Sequence, residues 1–330
     1  MGNISKRGDS LKNKTPDNMT RLSKSSVKFI ESSRANSTKK AYRADWQRFE
    51  AWTEKQEVDC LPASGSTVAN YISYLADLGR APSTISRVLS SISQAHKLAD
   101  LASPTGSPEV VNVNKGIRRK KGVAQRRAKP LILADLKRVC AKIRPSFLGK
   151  RDKSLILLGW AAALRRSELV ALDLEDIDFV DEGLILQIRF SKTDQEGEGY
   201  KIGVPFAKDP LFCPVLKLKE WIGVAEIESG PVFFAIGTPG KKWHAQIDAP
   251  RRLSAAMVNT IIKRRLKMAG MNSAGYSGHS LRAGFVTSAA GVNIPENDIK
   301  TQTRHRSTAI LRTYIRRGNI FENHPLSILL

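Results

Sequence analysis

Three short strings concentrate the residue types that could do chemistry. In Ala163-Leu164-Arg165-Arg166-Ser167-Glu168-Leu169, Arg165 closes the most apolar helical stretch of the chain and Glu168 follows three residues on. That spacing places both on one helical face, where the carboxylate fixes the guanidinium. In Ser277-Gly278-His279-Ser280-Leu281-Arg282 the same spacing brings an imidazole and a guanidinium together, with neighbours on such a face about 5 to 6 Å apart. Two cations side by side repel, and holding them together makes sense when an anion such as a phosphate sits between them. In the third string, His305 is followed nine residues later by Tyr314, in the company of Arg304, Arg306, Arg312 and Arg316. Such surroundings favour a phenolate. Each string alone also fits an ordinary structural part: an ion pair, a surface pair, a helix cap, a packed tyrosine. Metal chemistry finds little support, because neither DxD nor HExxH occurs. Nor do His96, His244, His279, His305 and His324 include a pair at ligand spacing, which disfavours a metal-dependent nuclease.

These strings need elements to position them. A short helix is expected at Ala134–Ile143, a longer apolar one at about Lys153–Leu164, and another at Ser167–Leu172. Alternation then takes over: Leu184, Leu186, Ile188 and Phe190 face one way, Gln187, Arg189 and Ser191 the other, and Tyr200, Ile202 and Val204 form the return strand. Lys192 lies in the turn between them, Lys192 to Gly199. From Pro214 onward the pattern is mostly helical, with Trp221 inward, a helix at Leu253–Met268, and others through the 280s and 300s. Before all this, Ser37 can cap a helix carrying Tyr42, Trp46, Phe49 and Trp52 on one face, a stripe better read as core than as a base-stacking surface. Val68, Tyr71, Ile72 and Leu75 mark a second helix ending at Gly79. Pro82 opens a third with Ile85, Val88, Ile92 and Ala95 inward. On its outer face Ser83, Thr84, Ser86 and Arg87 suit phosphate contact, with ordinary capping the equal alternative. The fold class is therefore mainly α with a small antiparallel β-sheet: an all-helical N-terminal domain and a mixed α+β C-terminal domain.

The chain has 330 residues, 54 Lys and Arg against 31 Asp and Glu, a formal charge of +23, and 41% hydrophobic residues. That apolar share excludes disorder of the whole chain, and the length suggests about two domains of roughly 150 residues. Cys60, Cys140 and Cys213 form no CxxC, so a disulfide framework is not expected and a reducing, intracellular setting is. The longest apolar run, Leu155 to Leu164, is about half of the ~20 residues a bilayer-spanning helix needs. Residues 1–24 read as a flexible basic arm without a secretory signal. The positive excess points to nucleic acid ahead of an anionic membrane. Lys115, Arg118, Arg119, Lys120, Lys121, Arg126, Arg127 and Lys129 carry no offsetting acid. They read as an extended strap that neutralises duplex phosphates, a solvated linker being the plain alternative.

The ordered set ALRRSEL, a lysine at a β-hairpin turn, GHSLR, and a histidine with a tyrosine nine residues later resembles the tyrosine recombinase (phage integrase) family, nearest its Cre-like branch. The likeness runs over roughly residues 130 to 330, and the helical segment before it resembles the family's core-binding domain. Two places depart from the common pattern: Ala163 stands where many members have glycine before the Leu-Arg, and Thr303-Arg304 where many have a glycine before the histidine.

The resemblance implies residues 25–114 as a helical, DNA-binding core-binding domain, 115–130 as a basic linker, 131–318 as the catalytic domain and 319–330 as an apolar tail. It implies phosphoryl transfer on double-stranded DNA with no metal or nucleotide cofactor. Tyr314 would attack a backbone phosphate, expelling a 5′-hydroxyl and leaving a 3′-phosphotyrosine that stores the bond energy. Arg165 and Arg282 would bind non-bridging oxygens, Lys192 would protonate the leaving oxygen, His279 would handle the tyrosine proton, His305 would donate to a phosphate oxygen, and Glu168 would support Arg165. Lys201 competes with Lys192. Ser83, Thr84, Arg87, Arg118, Arg119, Lys120, Lys121, Arg126 and Arg127 are the candidate DNA contacts. The family also implies dimers and tetramers assembled on DNA, with the tail docked on a neighbour or packed in cis, and a cytoplasmic, nucleoid-associated site of action without membrane contact. Alternatives are a non-catalytic DNA-binding protein of this fold and a relaxing topoisomerase.

Overall fold

A computed structural model of the chain describes residues 36–123, 127–189, 199–236 and 251–305. The chain divides into two compact units, Met1–Gln125 and Arg126–Leu330.

The first unit is all-helical: α1 (Asn36–Lys55), α2 (Gly65–Asp77), α3 (Pro82–Leu98) and α4 (Pro108–Lys121). Its core is the stripe the helical spacing marks out, with Phe49, Val68, Tyr71, Ile72, Leu75, Ile85, Val88 and Ile92 buried and Trp46 and Trp52 packed against them. Ring centroids of Phe49 and Tyr71 lie 5.0 Å apart, and burial first, then the Asp45 charge, pushes the Tyr71 phenol up to about 12. The aromatic face of α1 is thus spent on packing. So is His96, which accepts from the Ala63 N–H through Nε2 at 2.9 Å and meets the Ile92 carbonyl through Nδ1 at 2.9 Å.

One expectation for this unit needs correction. Lys115 to Lys121 are helical, not an extended strap: Val110 is buried and Val113 and Ile117 pack on the core at helical spacing, drawing the run into α4. Arg118, Arg119, Lys120 and Lys121 fall in its last turn, where the negative end of the helix dipole offsets part of their repulsion. Arg87 is exposed but shared with a carboxylate. Its Nε and Nη2 donate to Asp45 at 2.7 and 3.1 Å, tying α3 to α1, and Asp45 is itself buried. Ser86 donates to the Pro82 carbonyl within its own helix, while Ser83 remains exposed and Thr84 half-buried in the first turn of α3.

The second unit runs α5 (Leu133–Ala141), α6 (Phe147–Ala161), α7 (Arg166–Ala171), β1 (Ile177–Val180), β2 (Gly183–Ile188), β3 (Tyr200–Pro205), α8 (Pro214–Val224), α9 (Ala255–Met268), α10 (His279–Ala290) and α11 (Glu296–Thr303). The sheet is antiparallel in the order β1-β2-β3. Leu184 pairs with Val204 and Leu186 with Ile202, and these four side chains, with Ile188, face the core. Strand β1 escapes the alternation reading because three of its four residues are exposed. The turn carrying Lys192 lies outside the described residues.

Helix α6 is the axis of the unit, with Leu155, Ile156, Leu157 and Leu158 all buried. At Gly159 a side-chain Cβ would come within 2.8 Å of Leu169 and of Leu281, so the missing side chain lets α7 and α10 close on the end of α6. Gly284 does the same on the far side of α10, where a Cβ would lie 1.9 Å from the Leu131 carbonyl oxygen. Near the other end of α6, buried Asp152 accepts from Arg151, Arg264 and Arg265 at 2.6 to 2.7 Å, fastening α6 to α9. Among the described residues no helix is long and apolar enough to cross a membrane.

Candidate active site

The site begins where α6 ends. The Ala163 N–H bonds the Trp160 carbonyl, the Leu164 N–H bonds the Gly159 carbonyl, and Ala163 takes a left-handed φ of 48°. This is a Schellman ending, with buried Leu164 as its apolar clamp. The sharp reversal sets Arg165 as the N-cap of α7. Glu168, 3% exposed, then reaches back: Oε1 accepts from Arg165 Nη1 at 2.5 Å, and Oε2 accepts from the Arg165 backbone N–H at 2.9 Å.

A second Schellman ending closes α11. Here the Arg304 N–H bonds the Thr301 carbonyl and the His305 N–H bonds the Lys300 carbonyl, with Arg304 left-handed at φ 54°. The two departures from glycine in the sequence therefore occupy equivalent positions, and both keep the geometry that glycine would adopt most easily. Holding an L-residue there costs about 1 to 2 kcal/mol. Gln302 Nε2 donates to the Ala161 carbonyl at 3.2 Å, joining the end of α11 to the end of α6.

Helix α10 brings the third contribution. Asn259 on α9 accepts the Gly278 N–H at 2.6 Å and steadies the start of α10. Arg282, 2% exposed, donates through Nη1 to the Ala163 carbonyl at 2.8 Å. Partial burial, then the positive charges of Arg282, Arg165 and Arg166, pull the His279 imidazole below its usual range, although one side of it meets solvent. Burial, then Arg282, Arg165, His279 and Arg304, push His305 down to about 3. Arg165, Glu168, His279, Arg282 and His305, drawn from three separate stretches of sequence, thus share one electropositive neighbourhood.

The residue range 131–319 matches the model of the phage integrase family, and residues 28–100 match the phage integrase N-terminal SAM-like domain. An integrase/recombinase xerD homolog of Selenomonas ruminantium is 38% identical over 321 residues, covering 96% of this chain and 92% of that protein. The chain belongs to the phage integrase family. It is a site-specific tyrosine recombinase. The recombinase cre of Escherichia phage P1 is 27% identical over 74% of each chain. A lambda integrase dimer solved on a COC′ core site shares the fold, with a TM-score of 0.57, 17% identity, and coverage of 91% of this chain and 78% of that one.

In this recombinase Glu168 is held by cations from two sides. Burial would raise its carboxyl, but Arg304, Arg165 and the Arg165 backbone N–H hold it below the usual carboxylate range. The Arg304 contact, Nη2 to Oε2 at 2.9 Å, spans 136 positions and no local spacing announces it. Thr303 also escapes the sequence reading. Its hydroxyl donates to the Ile299 carbonyl at 2.6 Å and lies 2.7 Å from His305 Nδ1. That contact orients the ring and leaves Nε2 as its other polar atom. Lys192, Arg126 and Tyr314 lie outside the described residues. Lys201 is exposed on β3, paired in register with Gln187.

Proposed function

We propose that Arg165, His279, Arg282 and His305 form the scissile-phosphate site of this recombinase, with Tyr314 as nucleophile and Lys192 as general acid. The observation that carries this is the convergence of two guanidiniums and two imidazoles of lowered pKa on the joined ends of α6 and α11 and the start of α10. The Tyr314 oxygen attacks phosphorus, the P–O5′ bond breaks, and the 5′-oxygen leaves with a proton from Lys192 while His279 takes the tyrosine proton. Rejoining runs the same steps backward. Arg165 and Arg282 neutralise the charge that builds on the non-bridging oxygens. His305 donates to a phosphate oxygen through Nε2.

Lys192 and Lys201 are separated by a leaving-group test. Lys192→Ala cleaves ordinary DNA about 10²- to 10⁴-fold more slowly, but is restored on a site whose 5′-bridging oxygen is sulfur, because a thiol with a pKa near 8.5 departs without protonation. Lys201→Ala behaves like wild type on both. The opposite pattern transfers the role to Lys201.

Double-stranded DNA is the substrate, met by the helical unit (25–114), the basic stretch (115–130) and the catalytic unit (131–318). Exposed Arg118, Arg119, Lys120 and Lys121 on α4 support this, as do Ser83 and Thr84 at the start of α3. Arg126 and Arg127 follow in the same stretch, and Arg87 makes a lesser contribution because of Asp45. Footprinting on fragments flanking the gene gives the site and the protomer count. On that site, affinity falls by about 10³ to 10⁵ between 50 and 200 mM salt if six to ten phosphates are neutralised. Lys120→Ala with Lys121→Ala flattens the log–log slope by about 0.9 for each phosphate no longer neutralised. An unchanged slope removes these two from the interface.

Dimers and tetramers form on DNA, the apolar tail 319–330 docking on a neighbouring protomer or packing in cis. Support comes from an open groove of about 550 Å³ on the catalytic unit, lined by Leu133, Leu157, Trp160, Phe206, Phe285 and Ile299 among others. The protein acts in the cytoplasm, at the nucleoid.

A further inference from the structure

Arg304 occupies a position where a side chain is costly and a cation more so. Its left-handed backbone suits glycine, yet the residue carries a guanidinium whose side chain is 7% exposed. Only Nη2 is engaged among the described residues, on Glu168 Oε2 at 2.9 Å; Nε and Nη1 are buried with no partner among them. Burying such donors is unfavourable. Two arginines therefore share one carboxylate: Arg165 holds Oε1 through Nη1 and Oε2 through its backbone, and Arg304 holds Oε2 from α11.

The consequence lies in charge. If Arg165 alone faced buried Glu168, the pair would be neutral, and a phosphate would have to compete with the carboxylate for the guanidinium. With Arg304 on the other oxygen, Glu168 still fixes the orientation of Arg165 through the backbone and side-chain contacts, but its negative charge is divided. The triad keeps a net positive charge.

We propose that Arg304 is a positioning residue for strand cleavage, acting through Glu168 to keep Arg165 oriented yet electrostatically available to the phosphate. This rests on the reading of Arg165 as a phosphate ligand. The same arrangement ties the end of α11, and with it His305, to the turn that carries Arg165.

The test uses the full chain and a duplex of the footprinted site with a 5′-bridging phosphorothiolate, so that covalent adduct accumulates and its rate can be read. Arg304→Gly is the informative truncation, because glycine fits the left-handed backbone. Its adduct forms about 10- to 100-fold more slowly, the range typical of removing a partner that orients a reacting group, while the footprint is kept. Arg304→Lys recovers part of the rate by restoring the charge. The decisive variant is Arg304→Gly combined with Glu168→Gln: removing the carboxylate charge that Arg304 no longer offsets makes the double variant faster than Arg304→Gly alone. A cavity or a loosened α11 would not respond in that way. A wild-type rate for Arg304→Gly, or a double variant no faster than the single one, overturns the role of Arg304. Adduct formation at the wild-type rate by Arg165→Ala instead overturns the phosphate site itself, so the two failures are told apart in one assay.

Discussion

Tyr314→Phe forms no covalent adduct with the footprinted site, under conditions where the wild-type chain leaves DNA linked to protein after denaturation. The reason is elemental: the intermediate is an ester of a phenolic oxygen, and phenylalanine has no oxygen to esterify. Other acceptors do not compensate, since phosphodiesters are attacked by water so slowly that enzymes of phosphate chemistry reach the largest known accelerations. Binding behaves differently. Affinity for duplex DNA comes mainly from Lys and Arg on phosphates, and one hydroxyl contributes on the order of 1 kcal/mol, so the variant's footprint keeps its position and extent. An adduct formed by Tyr314→Phe would move the nucleophile to another residue. No adduct from the wild-type chain on a nicked or phosphorothiolate site would leave a DNA-binding protein that has lost the reaction.

Local spacing is what the amino-acid sequence discloses well. The His279–Arg282 pair lies three residues apart on α10, as a helical face requires, whereas Arg165 and Glu168, equally close in sequence, meet as N-cap and N3 of α7 because Arg165 keeps an extended backbone. Local spacing also discloses the stripes that form the two cores and the pairing of β2 with β3, where alternation follows from the pleat. Contacts across long separations are less legible. The pairing of Arg87 with Asp45 gives one cation of the phosphate-binding candidates a second partner, and only the packing of α1 on α3 reveals it. The basic run to Lys121 reads as extended because its charges repel, while Val113 and Ile117 supply a weak apolar stripe that prevails. Arg304 is the instructive case. In the sequence it stands out only as a residue in place of glycine; in the fold it is the second cation on Glu168. Its signal is a cost without a visible return, a bulky charged residue just where a helix ending calls for left-handed backbone.

Arg282→Ala slows cleavage by about 10²- to 10³-fold, the loss expected when one donor aimed at developing charge is removed, equivalent to about 2.7 to 4 kcal/mol of barrier. Arg282 is the better choice than Arg165 for this measurement, because truncating Arg165 would also strip a cation from buried Glu168 and mix two effects. The Arg282 Nη1 is anchored on the Ala163 carbonyl at 2.8 Å, so the guanidinium is oriented by the same turn that presents Arg165. Truncation also empties a buried site, and a slower reaction alone would not separate lost charge stabilisation from a loosened turn. A change in the substrate does. Replacing one non-bridging oxygen of the scissile phosphate by methyl removes the ground-state negative charge and lessens the charge that develops in the transition state. On that methylphosphonate site the penalty of Arg282→Ala shrinks by at least about tenfold if the arginine acts on charge, and keeps its full size if it acts only on packing. Arg282→Lys adds a second reading of the same point: it restores a cation without the planar fork, so on the ordinary phosphate it recovers part of the rate and never all of it. Equal rates for Arg282→Ala and wild type on both substrates would place the phosphate elsewhere.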